Sequence, residues 1–143
     1  MIDPRYNKDV AIMLVIANVL FKENLYNKEY VDRFVEPKGF ALWKDYVLGV
    51  SDDVDKTPKW AEKICAVPAE TIRKFARLYA RSKPASLIFG WCAARQYQGE
   101  NPARAAMYLQ ALTRNIGVVG VNSTYRQGCD MSVPGVTIYQ TLT

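Results

Sequence analysis

The chain has 143 residues, half of them hydrophobic and 23% charged, which predicts a globular protein with room for one domain and its core. Its net charge of +5 admits nucleic acid or other anions as ligands. Histidine is absent, which excludes imidazole-dependent catalytic triads and histidine zinc sites. The widely spaced Cys65, Cys92 and Cys129 include no Cys-x-x-Cys pair, so we expect reduced thiols and no metal held by cysteines of this chain.

The chain begins with a turn and a long apolar helix. An Asp-Pro step at residues 3–4 predicts a strand end or a turn. The following helix should begin near Lys8 or Asp9 and end at about Lys22. Its apolar residues cover nearly the whole circumference, which predicts burial on most sides. We therefore expect part of the surface that covers this helix to lie outside the chain.

Two short helices and an acidic loop come next. Asn27 is predicted to cap a helix over residues 28–34. A break at residues 37–39 should separate it from an amphipathic helix over Phe40–Leu48. Residues 49–56 contain three aspartates but lack the glycine and the distant glutamate of an EF-hand loop. They are predicted to form a solvated loop.

A helix pair follows, and it carries an alternative hypothesis. Thr57 and Pro58 are predicted to cap and open a helix over 58–64, and a second helix should span 68–82. Arginines 73, 77 and 81 form a stripe on the second helix, so the pair could be a helix-turn-helix nucleic-acid-binding module. The turn, however, is Cys-Ala-Val where such motifs usually contain glycine, and the helix dipole alone favours basic residues in a last turn. Nucleic-acid binding is therefore the less favoured interpretation.

The stretch from Lys83 to Pro102 is the most informative. Residues 87–89 predict a buried strand that Gly90 ends, followed by a polar loop. Asn101 and Pro102 predict the cap and first residue of a helix that reaches about residue 115, with Gly117 just beyond its end. In α/β proteins, a strand that leads into such a loop presents ligand-binding groups at its carboxyl end. Residues 120–143 show no sustained period and are expected to form an irregular tail that contributes to binding.

Three motifs in this order resemble a known family. They are Ile2-Asp-Pro-Arg5, the run Thr57-Pro-Lys-Trp-Ala-Glu-Lys-Ile-Cys-Ala-Val-Pro-Ala-Glu-Thr-Ile-Arg-Lys-Phe-Ala-Arg77, and Gly90-Trp91-x3-Arg95-Gln96-x2-Gly99-Glu100 followed by Leu112-Thr-Arg-Asn-Ile-Gly117. The resemblance is to the molybdopterin oxidoreductases of the dimethyl sulfoxide reductase family, nearest the formate dehydrogenase-like branch. It covers most of the chain.

The resemblance implies a fold, a function and partners. The fold is α/β, a mostly helical fragment of a Rossmann-like nucleotide-binding domain with one or two short parallel strands, and residues 1–143 form a single partial domain. The chain would belong to a catalytic subunit that binds bis-molybdopterin guanine dinucleotide with Mo or W, and it would be inactive alone. A 4Fe-4S cluster and the protein ligand of the metal would lie outside it. The implied partners are the remainder of that subunit and an electron-transfer subunit. This chain has no apolar run long enough to span a membrane and no targeting signal, so both the cytoplasm and the periplasm of a prokaryote remain open as its compartment.

The resemblance also assigns roles to individual residues. The implied cofactor contacts are Asp3, Arg5, Asp9, Gly90, Trp91, Cys92 and Arg95. Asp3 and Asp9 would contact guanine, Arg5 would lie near the same nucleotide as Asp3, and Gly90 would let the backbone approach a pterin. Arg126 corresponds to an active-site arginine of the formate dehydrogenase branch, and no residue of this chain is assigned to the metal.

The chain departs from the family pattern at three places. The interval from Arg5 to Asp9 is much shorter than in the family, which either removes one wall of the nucleotide site or reflects a lesion in the gene. The usual Thr-Gly-Asn is replaced by Thr113-Arg114-Asn115. The segment around Arg126 is also shorter than its counterpart.

Overall fold

The computed structural model describes residues 8–87, 95 and 97–119. These residues form the helices α1 (Asp9–Lys22), α2 (Lys28–Phe34), α3 (Pro37–Leu48), α4 (Pro58–Cys65), α5 (Ala69–Arg81) and α6 (Glu100–Leu112). Within them there is no strand, and none of these helices is long and apolar enough to cross a membrane. The predicted strand falls largely outside the described residues, as does the tail 120–143, so the α/β class with its Rossmann-like nucleotide-binding domain stays a prediction.

Helix α1 is the central element of the fold. It packs against α3, α4, α5 and α6. Val15, Ala17 and Leu20 have no exposed surface, which confirms the predicted burial. From Leu14 to Phe21 the cover is supplied by this chain itself, whereas Val10, Ile12 and Met13 are only partly buried, so the expectation of a further cover from outside the chain stays a prediction for the first turns. The sequence shows that apolar residues occur on nearly every side of the helix, but it does not show which later elements pack against those sides.

Helices α2 and α4 begin where their caps predict. The Asn27 side chain accepts a hydrogen bond from the backbone N–H of Tyr30 at 2.8 Å. Thr57 Oγ1 accepts one from the backbone N–H of Trp60 at 3.2 Å, and Pro58 is the first helical residue. Each cap satisfies one of the donors that a helix start leaves without an intrahelical partner.

Helix α3 begins three residues earlier than predicted. Pro37 opens the helix instead of breaking it, because a proline at the first helical position lacks only an N–H that has no intrahelical partner. The Glu36 carboxylate accepts hydrogen bonds from the backbone N–H groups of Lys38, at 2.9 Å, and Gly39. These bonds hold the pKa of Glu36 below its usual range, and the bond from Gly39 has the larger effect. The helix ends at Gly49, whose φ of +78° is left-handed.

Helix α6 begins and ends earlier in the sequence than predicted. It begins at Glu100, so Asn101 lies inside the helix and is not its cap. Pro102 is tolerated because the first N–H groups of any helix lack intrahelical acceptors. The helix ends at Leu112, and Thr113 Oγ1 donates to the carbonyl of Leu109 at 2.9 Å. Gly117 therefore does not directly follow the helix, although its φ of +75° is left-handed.

The loop between α3 and α4 contains a buried lysine. Lys56 is 1% exposed, and its Nζ lies 2.6 Å from Asp52 Oδ1 and 4.0 Å from the centre of the Tyr46 ring. The ion pair and the ring face both stabilise the ammonium group. The same pair, chiefly through its hydrogen bond, lowers the pKa of Asp52. The prediction of a solvated loop is therefore wrong for Lys56.

The same loop is tied to the central helix. Asn18, 1% exposed on α1, donates to the carbonyl of Val47 at 3.1 Å and to Asp55 Oδ1 at 2.7 Å. Lys22 forms an ion pair with the other carboxylate oxygen of Asp55. Asp55 is thus a structural anchor, and only the neighbouring exposed positions fit the solvated interpretation.

A buried asparagine closes the other end of the fold. Asn115 is 1% exposed, and its Oδ1 accepts from the backbone N–H of Ala85 at 3.2 Å. Its Nδ2 donates to Thr113 Oγ1 at 2.8 Å. Asn115 therefore holds the chain at residue 85, after α5, beside the end of α6.

Candidate functional site

Helices α1 and α6 run side by side in the same direction. The backbone N–H of Asn27, just beyond α1, donates to the carbonyl of Leu112, the last residue of α6, at 2.7 Å. At the opposite end, Val10 of α1 and Pro102 of α6 line one cleft. The N-terminal ends of both helices therefore lie on the same side of the molecule.

The cleft at this end has a volume of about 630 Å³. Helices α1, α3 and α6 and the turn before α6 form its walls. Its lining is aromatic and polar, and comprises Val10, Leu14, Trp43, Tyr46, Tyr97, Gln98, Gly99, Asn101, Pro102, Arg104, Ala105 and Tyr108. Trp43 and Tyr108 pack edge to face, with ring centroids 4.9 Å apart.

The cleft offers two kinds of chemistry. Its aromatic side chains provide surface against which a planar ring system can pack. The side chains of Gln98, Asn101 and Arg104 provide donors for oxygen and phosphate groups. The first-turn N–H groups of α1 and α6 add positive potential on the same side. Asp9 and Glu100, the first residues of these helices, place carboxylates at the same end of the molecule, although neither belongs to the cleft lining.

The structure places two of the residues that the resemblance assigned to the cofactor. Asp9 is half-buried at the start of α1, next to Val10 in the cleft wall. Arg95 is exposed, two residues before Tyr97, which lines the cleft. The remaining assigned residues lie outside the described part of the chain: Asp3, Arg5, Gly90, Trp91, Cys92 and Arg126.

Sequence reasoning missed the aromatic part of the cleft. Trp43 and Tyr46 are three residues apart on α3, a spacing that indicates a core-facing side as readily as a ligand wall. Tyr108 carries no recognisable motif. Only the packing of α3 beside α6 brings these rings to one surface, so no local signal in the sequence could have identified them.

Two of the three arginines of the helix-turn-helix hypothesis, Arg73 and Arg77, make ion pairs within the fold. Arg77 Nε and Nη2 donate to the two carboxylate oxygens of Glu23 at 2.7 and 2.8 Å. This hydrogen bonding holds the pKa of Glu23 below its usual range. Arg73 pairs with Glu70 at 2.6 Å. Helices α4 and α5 both pack on α1, so these arginines serve the fold and offer little support for DNA recognition.

The described residues contain no group of three or more His, Cys, Asp or Glu side chains that could hold a metal ion. Cys65 is buried and free, and its Sγ lies 2.9 Å from the carbonyl of Ala61, to which it donates. The cleft therefore fits a planar, polar or anionic ligand, whereas the described side chains form no metal centre of their own.

Comparison with known proteins identifies the family. Residues 1–140 match the family model of the molybdopterin oxidoreductases, so the chain belongs to that family. It is 42% identical over 118 residues to a trimethylamine-N-oxide reductase of Vibrio parahaemolyticus, which covers 82% of this chain and 14% of that protein. It is 34% identical over 163 residues to the dimethyl sulfoxide reductase DmsA of Haemophilus influenzae, which covers 94% of this chain and 20% of the relative.

These relatives place the chain in the dimethyl sulfoxide reductase family, whose members named here are oxidoreductases, and family membership implies a molybdopterin cofactor. The solved acetylene hydratase from Pelobacter acetylenicus has a similar structure, with a TM-score of 0.70 and 29% identity over 80% of this chain and 15% of that one. The assignment to the formate dehydrogenase-like branch is not confirmed.

The chain spans only about a seventh to a fifth of the length of these relatives. The alignment with DmsA is longer than the chain itself, so that relative contains residues without a counterpart here. The short interval between Arg5 and Asp9 predicts such a difference.

Proposed function

We propose that this chain forms one wall of the molybdopterin guanine dinucleotide site in the catalytic subunit of a molybdenum- or tungsten-dependent oxidoreductase. The observation that carries the proposal is the convergence of two parallel helix N-termini, those of α1 and α6, on one aromatic and polar cleft. The segments with most of the family's predicted cofactor residues directly precede these two helices in the sequence.

The proposed division of roles follows from residue chemistry. The carboxylates of Asp3 and Asp9 would accept hydrogen bonds from a guanine base, and Arg5 would contact the same nucleotide as Asp3. Gly90, Trp91 and Cys92 would lie against a pterin. These assignments rest on family membership, and for Asp9 also on its place at the start of α1, one residue before Val10 of the cleft lining.

Anion binding would come from the helix ends and the arginines. The first N–H groups of α1 and α6 lack intrahelical acceptors and could donate to a pyrophosphate. Arg95 and Arg104 would add cationic donors on the same side. Arg126 is proposed as the active-site arginine. When bound, the metal of the cofactor supplies two-electron redox chemistry, whereas the described residues of this chain bind and orient.

The proposed substrate class comes from the relatives. Their names indicate reduction of trimethylamine N-oxide and dimethyl sulfoxide. We therefore propose that the complete enzyme transfers an oxygen atom from an N-oxide or S-oxide. It would do so together with the remainder of its catalytic subunit, a 4Fe-4S cluster outside this chain and an electron-transfer subunit.

Ligand binding by the purified chain tests the proposed wall. GMP is a probe for the guanine end, and its binding can be followed by quenching of tryptophan fluorescence or by calorimetry. We expect weak, measurable affinity that Asp9→Asn reduces at least several-fold. Asp53→Asn, an exposed loop change, serves as the control and should have no effect. Equal affinities of the two variants would contradict the role of Asp9.

A second measurement separates the wall from the complete enzyme. The 143-residue chain should not reduce trimethylamine N-oxide or dimethyl sulfoxide with a reduced viologen dye as electron donor. Turnover by the isolated chain would refute its role as one wall of a larger site, even if GMP binding had behaved as expected.

A further inference from the structure

Helix α5 carries a face that the proposed cofactor wall does not use. One side of this helix is buried against α1 through Ile72, Ala76 and Ala80. On the outer side, Leu78 is 62% exposed and Phe75 is 38% exposed. They are three residues apart, so the two side chains are neighbours on the helix surface. This small apolar area is open to solvent although α5 has a fully buried face of its own.

Basic side chains surround the apolar pair. Lys74 and Arg81 lie four residues before and three residues after Leu78, which places all three on one stripe, and Lys83 follows just beyond the helix. These three cations are exposed and make no ion pair with another described residue. Arg73 and Arg77, in contrast, are held by Glu70 and Glu23. The cations of α5 that make no direct ion pair therefore lie around Leu78, although Arg81 also attracts the Glu23 carboxylate through space.

We propose that this face, defined by Lys74, Phe75, Leu78, Arg81 and Lys83, is a docking surface for an acidic protein surface. An apolar centre within a charged rim is the usual anatomy of a protein–protein interface. The rim selects a partner of opposite charge and accelerates its association, whereas the desolvated centre contributes most of the affinity.

The observations favour an acidic protein over the other polyanions. A nucleic acid would engage the cations through its phosphates but would leave the apolar pair without a matching surface. A membrane would need a much larger apolar face, whereas Phe75 and Leu78 are the only large apolar residues of α5 that are exposed. The proposal is independent of the cofactor wall, which lies at the N-terminal ends of α1 and α6.

The test uses the full chain and four defined probes. These are a fluorescein-labelled amphipathic helical peptide with glutamate and leucine, the same peptide with lysine for every glutamate, a duplex DNA, and vesicles that contain phosphatidylglycerol. Fluorescence anisotropy reports binding of the peptides and the DNA, and co-sedimentation reports binding to vesicles. We expect the acidic peptide to bind best, and more tightly at low salt than at physiological salt.

Matched variants locate the binding face. Leu78→Ser should weaken binding of the acidic peptide at least about fivefold, the threshold usual for an interface centre. Leu42→Ser is the control, because Leu42 is 72% exposed on α3. Lys74→Glu should weaken binding through slower association, whereas Lys38→Glu, an exposed change on α3, should not. Circular dichroism checks that each variant is folded.

Every outcome decides the proposal. The proposal is supported if the chain prefers the acidic peptide and if this preference is lost in the α5 variants but retained in the α3 controls. Equal binding of the acidic and basic peptides, equal effects of the α5 and α3 changes, or tighter binding of DNA or vesicles would each overturn it.

Discussion

A left-handed alanine at the end of α4 gives the sharpest test of the fold. Ala66 follows α4 with φ +60° and ψ 19°, a conformation in which glycine is usual. Its backbone N–H donates to the carbonyl of Glu62 at 3.0 Å, so the left-handed turn is an integral part of the helix end. This is also the position at which the sequence lacked the glycine of a typical helix-turn-helix.

The expected effect of Ala66→Gly follows from backbone energetics. A left-handed conformation costs an L-residue about 1–2 kcal/mol, which glycine avoids. The greater freedom of glycine in the unfolded chain offsets about 0.4–1 kcal/mol of this gain. We expect Ala66→Gly to stabilise the protein by about 0.5–1 kcal/mol. Ala41 is exposed within right-handed α3, and the same substitution there should destabilise by about 1 kcal/mol.

Urea denaturation followed by circular dichroism measures both effects. The midpoint should rise for Ala66→Gly and fall for Ala41→Gly, without a change of slope. Arg114→Gly should behave like Ala66→Gly, because Arg114 also has a left-handed φ of +54°. Equal destabilisation by Ala66→Gly and Ala41→Gly would refute the backbone argument.

Three further predictions concern polar groups. A double-mutant cycle with Asn18→Ala and Asp55→Ala should give a coupling energy of about 1–2 kcal/mol in urea denaturation, and a value near zero would contradict the anchoring role of this pair. Lys56→Met should be tolerated because it keeps the buried aliphatic stem of the side chain. Lys56→Ala should lower the free energy of unfolding by about 2–3 kcal/mol more than Lys56→Met does. Equal losses in the two variants would show that the packed stem contributes little. Because Arg77 lowers the pKa of Glu23, this pair stabilises the fold above the ordinary glutamate pKa of about 4.3, and the contribution is lost as the pH falls through the lowered value. Arg77→Gln should therefore flatten the loss of thermal stability between about pH 5 and pH 3, and an unchanged profile would show that the pair does not couple to folding.

Helix existence could be predicted better than helix starts. The caps Asn27 and Thr57 place α2 and α4 correctly because a capping side chain acts within three residues of its position. Pro37 and Pro102 were harder to interpret, since proline is compatible both with a break and with the first turn of a helix. The sequence alone does not show whether a given proline breaks a helix or lies in its first turn.

The site could be predicted only in part. The place of Asp9 at the start of α1 was predicted from the helix pattern, whereas its role toward a cofactor stays a prediction. The parallel course of α1 and α6, and the meeting of Trp43 with Tyr108, depend on tertiary packing across more than sixty residues. Local patterns contain no information about such contacts. For the same reason the sequence could not show that α3, α4, α5 and α6 of this chain itself cover most of α1.

The link between Asn115 and Ala85 has a consequence for divergence within the family. It brings the two ends of a thirty-residue stretch together independently of what lies between them. The entropy of closing such a stretch changes by only about 0.6 kcal/mol when its length doubles. Loop closure therefore sets almost no limit on the length of the segment before α6, so the divergence of that segment within the family should be limited by its proposed contact with the pterin and not by the helical core.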